Sequence, residues 1–262
     1  MKHIKKKFLF HEFLQNKDDE KIFKNDFEEI PLPQNIDSQK ILKAAKGHVG
    51  IIKRNNEENI FSMVYNDNGT YCMIPVPDFS LMNFNQAYKY NIDRKELRKE
   101  LMKHFKDLNS EEYKNFAFAY EFQGCASACI IMLFTSIECF VNDIIPADFQ
   151  YIISDTKRTE IYNKEQIQEF IPFMDKLKKV LPQALGKDFF SKPTPSTSHI
   201  YNLKELRNDI VHTKSDLTGQ NHADILKKLL NFKYDETFKA ISLYFNFYKE
   251  GFVEDCPCDE MW

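Results

Sequence analysis

Residues 125–134 read CASACIIMLF, ten positions without a charge and with Ser127 as the only polar side chain. A strand buried on one face would alternate apolar and polar residues. This run is apolar all round, the pattern of a helix at the centre of a bundle rather than on its rim. The helical texture continues on both sides, from about residue 111 to residue 145, where Pro146 stops it. At about 1.5 Å per residue such a helix is roughly 50 Å long, and Gly124 marks a candidate bend. The uninterrupted apolar run is well short of the ~20 residues a membrane span needs, so the expected setting is protein, not lipid.

Outward from that helix, Asp93 with Glu96 three residues later gives a capping-box-like start to a charged helix ending near residue 106. Residues 148–162 are ambiguous between a strand pair and a loop. Asn163 or Lys164 then opens an amphipathic helix through Ile167, Phe170, Ile171, Met174, Leu177 and Leu181, ended by Pro182 and Gly186. Residues 191–198, SKPTPSTS, form a loop that supplies caps for a helix over 200–214, and two further helical patterns cover 221–230 and 234–251. The expected fold is mainly α, a bundle of four to five helices within residues 92–251 followed by a tail, 252–262. Residues 1–91 are expected to form a small α+β accessory module. Its first 30 residues alternate lysine-rich and acidic patches, with one element around residues 5–15 and another around 20–27; Pro31 and Pro33 then punctuate the chain. A short helix capped by Asp37 or Ser38 runs to about Lys46. Three strands follow at 48–53, 59–66 and 70–76, and Asn66-Asp67-Asn68-Gly69 gives a hairpin signal between the last two. Residues 78–91, rich in aromatics, read as an irregular connector.

Composition agrees with a helical protein: aromatics make up 14%, with 24 Phe against one Trp, and there are only 7 Gly. With 36 basic and 39 acidic residues the formal net charge is −3, which excludes nucleic-acid binding by bulk electrostatics and leaves only local contacts. The opening residues MKHIKKKFLFHEFL mimic a signal peptide, but His11 and Glu12 cut the apolar run. A cytoplasmic protein without a membrane partner is expected. The cysteines at 72, 125, 129, 139, 256 and 258 lack the spacing of a disulfide framework and read as reduced thiols packing as small hydrophobes. Cys256-Pro257-Cys258 has no second ligand pair, so neither metal nor cofactor is expected. Phosphate-loop, zinc-peptidase and nucleophile-elbow patterns are absent from the sequence.

Residues 203–213, LKELRNDIVHT, concentrate chemistry on one helix whose apolar stripe is Leu203, Leu206 and Ile210. Arg207 offers a planar, permanently charged fork for phosphate oxygens, and histidine, as at 212, is the side chain best suited to move a proton near neutral pH. Five residues apart, the two are about 140° apart round the axis and roughly 7.5 Å apart along it. Asn208 and His212 share a face. Arg207 either curls its stem round to them or meets the histidine of a second copy, and the second arrangement is favoured. The bland alternative pairs Arg207 with Glu205 or Asp209 on a solvated face. Glu138, four residues after Phe134 and three before Val141, sits beside the core stripe and needs a partner. That partner is either a structural salt bridge or Arg207 or His212, which it would orient. Lysines 176, 178, 179, 187 and 192, with Lys204 and Lys214 flanking the motif, form either a strip for an RNA backbone or ordinary solvated faces.

The six residues from Arg207 to His212 resemble the R-x4-6-H signature of the HEPN superfamily, in the R-N-x-x-x-H form its ribonuclease members use. Residues 135–145, TSIECFVNDII, resemble that family's long helix with its buried acid, here Glu138. The likeness spans roughly residues 105–250. It implies a metal-independent endoribonuclease that cleaves single-stranded RNA by attack of the 2′-hydroxyl, in a homodimer with a composite active site. Arg207, His212 and Asn208 would be catalytic, Glu138 and Asp209 supporting, and Lys204 and Lys214 would touch RNA. Such members are often toxins or abortive-infection and anti-phage effectors, which makes an antitoxin or inhibitor protein a further partner. The alternative is a non-catalytic HEPN-like helical module that partners a nucleotidyltransferase or another protein. A structural helical protein with a fortuitous motif is the third reading.

Overall fold

A computed structural model describes residues 37–53, 59–106, 116–154, 156–214 and 216–254. The chain divides into two compact units between Asp78 and Phe79. The expectations for residues 1–30, for Pro31 and Pro33, for a helix start near residue 111 and for the Cys256-Cys258 tail lie outside the described residues.

In the smaller unit, helix α1 (Ser38–Ala44) is capped by Asp37, whose carboxylate accepts the Gln39 N–H at 3.1 Å. Strands β1 (Val49–Lys53), β2 (Asn59–Asp67) and β3 (Thr70–Pro75) form an antiparallel sheet in chain order. The β2–β3 turn is the two residues Asn68 and Gly69, at φ 49° and 100°. Both lie where Asn and Gly are tolerated best, so the right-handed twist of the strands is matched. Gln39 fastens α1 to β3, donating to the Tyr71 carbonyl at 3.0 Å and accepting the Tyr71 N–H at 2.8 Å.

The larger unit begins with α2 (Phe79–His104), which runs through the segment expected to be an irregular connector and past Asp93, the expected helix start. Leu81, Phe84, Ala87, Asn91 and Arg94 are all buried at helical spacing. Asparagines and an arginine occupy core positions here and dilute the apolar period that marks a helix. Asn91 and Arg94 are satisfied both within the helix and across it. Arg94 donates through Nε and Nη2 to Asn91 Oδ1 at 3.1 and 2.7 Å and lies 3.8 Å above the Tyr234 ring, while Asn91 donates to Asp235 at 3.0 Å.

Helix α3 (Ala117–Ile144) is the central element expected from CASACIIMLF: no residue from Cys125 to Asn142 is exposed. Among the described residues it packs against α2 and against the helices Pro195–Val211, Gln220–Asn231 and Tyr234–Tyr248. By length and composition the whole helix is apolar enough to cross a membrane, which the ten-residue run alone did not indicate. Half of its apolar window is buried inside the protein; Phe140, for example, meets Phe245 at 4.5 Å and Phe252 at 5.0 Å. Cys129 is fully buried, and that burial pushes its thiol up to about 12.

Residues 148–162 resolve as a hairpin of β4 (Tyr151–Ser154) and β5 (Thr159–Tyr162). The single amphipathic helix expected beyond it is broken. Helix α4 (Lys164–Phe170), with its Asn163–Gln166 capping box, stops because Ile171 precedes Pro172 and is extended. The chain restarts as α5 (Phe173–Asp175), passes through a π-helical turn (Lys176–Val180) and continues as α6 (Leu181–Leu185). Pro182 does not end the helix: it sits in the first turn of α6, where a missing N–H costs little, and the left-handed Gly186 is the terminator. Helix α7 (Pro195–Val211) starts earlier than expected, at a Thr194–Thr197 capping box inside the SKPTPSTS stretch. Helices α8 (Gln220–Asn231) and α9 (Tyr234–Tyr248) follow close to their expected bounds. Among the described residues the result is mainly helical, with two small sheets.

Candidate functional site

Buried Ile200, Leu203 and Leu206 seat α7 among α3, α8 and α9, and this fixes where the last turn of α7 delivers its polar residues. Arg207 turns inward. Its guanidinium carbon lies 4.9 Å from the centroid of the Phe134 ring, and Nη1 donates to Asn208 Oδ1 at 3.2 Å. Phe134 is 3% exposed and is backed by Phe173 at 4.6 Å, so the ring is a fixed platform under the cation.

One turn further along α3 lies Glu138, half-buried, in the fields of Arg207 and Lys176 but in a direct ion pair with neither. Burial raises its carboxyl above the usual carboxylate range, and the two cations oppose that shift. Lys176, the first residue of the π-turn, is 8% exposed; its Nζ donates to the Gln168 carbonyl at 2.6 Å and to Asn142 Oδ1 at 3.2 Å. Burial lowers its ammonium from the ordinary value, with Glu138 pulling the other way. Phe134, Glu138 and Asn142, spaced by four on α3, thus present a ring, a carboxylate and an amide along one face.

His212 caps the C-terminus of α7. Its backbone N–H bonds the Asn208 carbonyl at 2.9 Å, while the exposed imidazole has no hydrogen-bond partner among the described residues. Arg207 therefore reaches Asn208 but not His212. Two large apolar residues near the cap, Val211 and Leu217, are exposed.

The remaining expected site residues are placed elsewhere. Asp209 lies about 160° round the helix from Arg207 and pairs with Lys228 at 2.7 Å, tying α7 to α8 beside a groove lined by His199, Asn202, Leu206 and Phe232. Asp209, expected as a supporting residue, is committed to Lys228. Lys204 bonds Glu205 at 2.7 Å; Lys214 is exposed, with its carbonyl accepting from the Asn221 side chain at 3.2 Å. Of the expected lysine strip, Lys176 is buried, whereas Lys178, over Tyr201 at 4.7 Å, Lys179, paired with Asp175 at 3.1 Å, Lys187 and Lys192 are exposed. Beyond the motif, Asp216 accepts the N–H groups of Thr218, Gln220 and Asn221, which holds its carboxyl down at about 2 and occupies the N-terminus of α8.

Sequence reasoning set Lys176 among surface lysines and passed over Asn142. The signal was present: Lys176 stands three after Phe173 and four before buried Val180, a stripe position. Among the described residues no group of His, Cys, Asp or Glu side chains is arranged to hold a metal ion. Comparisons of the chain with protein-family models, with curated proteins and with solved structures found no match.

Proposed function

We propose that the chain is a metal-independent endoribonuclease with a HEPN-like bundle, cleaving single-stranded RNA in a cytoplasmic homodimer. The observation that carries this reading is the commitment of Arg207. Its guanidinium engages an aromatic face and a neutral amide rather than a carboxylate, and it stands apart from the exposed His212 of the same chain. A fork with free donors and a solvent-facing imidazole are the two parts that phosphoryl transfer needs, and pairing two chains would bring the arginine of one to the histidine of the other.

In this reading the 2′-oxygen of one nucleotide bonds to its own 3′-phosphorus as the bond from phosphorus to the 5′-oxygen breaks. The products are a 2′,3′-cyclic phosphate and a 5′-hydroxyl. His212 of one chain takes the 2′ proton, the leaving 5′-oxygen is protonated from solvent, and Arg207 of the other chain stabilises charge on the phosphoryl oxygens. Asn208 holds the guanidinium in place. The nucleophile belongs to the substrate, so DNA, which lacks the hydroxyl, is inert. A toxin or anti-phage effector held in check by an inhibitor protein is the accompanying biology.

The test is cleavage of a mixed single-stranded RNA in EDTA by the wild type, Arg207→Ala and His212→Ala, with folding matched by circular dichroism. Cutting that leaves cyclic phosphate ends and vanishes in both variants is expected. Intact RNA with the inhibitor removed, together with a His212→Ala variant altered only in stability, would instead favour a non-catalytic binding module.

A further inference from the structure

Among the described residues β3 pairs only with β2 and so forms an outer edge of its sheet. Its six residues, TYCMIP, carry no charge, and Thr70, Cys72, Met73 and Ile74 are exposed. An exposed edge strand is a template for another strand, and proteins guard such edges with charges, bulges or a covering element. Here the guard is one side chain. Gln39, on α1, donates from Nε2 to the Tyr71 carbonyl at 3.0 Å and accepts the Tyr71 N–H at Oε1 at 2.8 Å. A residue of an antiparallel neighbour in a hydrogen-bonded pair exchanges the same two bonds. The carboxamide thus stands in for one residue of a further strand.

The guard is lightly held, because no residue of α1 is buried and little apolar burial keeps the helix beside β3. Behind it an apolar row crosses one face of the sheet. Val49 pairs with Met63 and Met63 with Ile74, and all three are exposed. We propose that the outer edge of β3 is a pairing site for β3 of a second copy of this chain, kept closed by Gln39. Antiparallel pairing about a two-fold axis sets identical strands against each other, where charges of one sign would repel; β3 has none. The apolar rows of the two copies then lie on the same face of one continuous sheet. Pairing requires α1 to lift from the edge, which releases both Gln39 bonds. The inference does not depend on the ribonuclease reading, and it uses residues other than those at the end of α7.

The experiment follows the full chain by light scattering over a range of concentrations, for wild type, Gln39→Ala and the double variant Gln39→Ala/Tyr71→Pro. Gln39→Ala should double its mass at a concentration about tenfold lower than wild type does, the shift expected when two hydrogen bonds need not be broken first. Tyr71→Pro removes an N–H that points to Gln39 rather than to β2, and proline is tolerated on edge strands. The double variant should therefore assemble no more readily than wild type. Amide exchange supplies a second readout: in Gln39→Ala the Tyr71 N–H should exchange fast in dilute solution and slowly where the mass has doubled.

A Gln39→Ala variant that assembles no more readily than wild type overturns the proposal. So does a doubled mass that survives Tyr71→Pro, which places the contact on another surface, or a Tyr71 N–H that stays fast as the mass doubles. Should the proline variant fail to fold, Cys72→Lys takes its place in the Gln39→Ala background. A charge on the edge then abolishes the doubling if β3 pairs with β3, and doubling that persists refutes it.

Discussion

At the scale of single residues, Arg207 differs from an ordinary surface arginine because its planar head is supported from below by Phe134 and from the side by Asn208. A lysine there keeps the charge but loses the fork. Arg207→Lys is therefore expected to lower single-turnover RNA cleavage by about a hundredfold, the loss typical of a phosphoryl or oxyanion donor, with little change in urea stability. Equal losses of cleavage and stability would show that the arginine serves the fold instead. Tyr244 gives the converse case. Its hydroxyl is fully buried, has no partner among the described residues and is ringed by Phe140, Phe189 and Tyr248. Tyr244→Phe should leave stability unchanged or raise it, since a buried unpaired hydroxyl costs about 1–3 kcal/mol. A fall in the urea midpoint would mean that the phenol has a partner of its own. Arg207, Asn208 and His212 could be singled out in the sequence because their types and spacing suit phosphate chemistry. The settings of Lys176 and Asp209 were not legible there. Each is defined by what faces it across a helix interface, and a lysine inside KLKK resembles any solvated run.

Among the elements, the ends of α7 and α8 are the ones that hold the motif. Thr194→Ala removes one half of the Thr194–Thr197 capping box and should destabilise the protein by about 1 kcal/mol, measured as a lower urea midpoint with an unchanged slope. Asp216 grips the start of α8 through three backbone N–H groups, and its carboxyl is depressed to about 2 in the folded chain against about 3.9 when unfolded. The sign follows from linkage: the contribution is complete above the unfolded value and is lost as pH falls through the folded one. Asp216→Asn should thus be less stable than wild type at pH 7, with the gap closing between pH 4 and pH 2; a gap independent of pH would show that the charge is immaterial. Elements with strong local chemistry were legible: the Asn68-Gly69 turn, the Asn163 cap and the apolar α3. Two were not, for tertiary reasons. The first half of α2 buries Asn83, Asn85 and Asn91, which hides its period. The break at Ile171-Pro172 and the π-turn keep apolar residues on a helical stripe while the backbone departs from an α-helix, so the pattern shows no interruption.

For the whole molecule, the proposed ribonuclease requires that Arg207 and His212 come together. Within one chain they project differently from the last turn of α7, and Arg207 is tethered to Asn208 over Phe134, so a site built in one chain would have to break that tether. A site built from two chains would not. The exposed apolar Val211 and Leu217 near His212 are suited to contact with a second copy, and a two-fold axis there would repeat each contact reciprocally. Leu217→Glu should then shift the protein toward monomer in light scattering and lower cleavage in parallel. The sharper test mixes two dead proteins. Arg207→Ala lacks the fork and His212→Ala lacks the imidazole, and each alone should be inactive. On exchange of equal amounts, random pairing puts about half of the dimers in the mixed form, which carries an intact arginine opposite an intact histidine. Cleavage should reappear on mixing, rise with the time allowed for exchange and disappear when Leu217→Glu is built into both partners. Mixing without recovery, when light scattering shows that dimers have exchanged, would place both residues in a single-chain site and require Arg207 to leave Phe134 during the reaction.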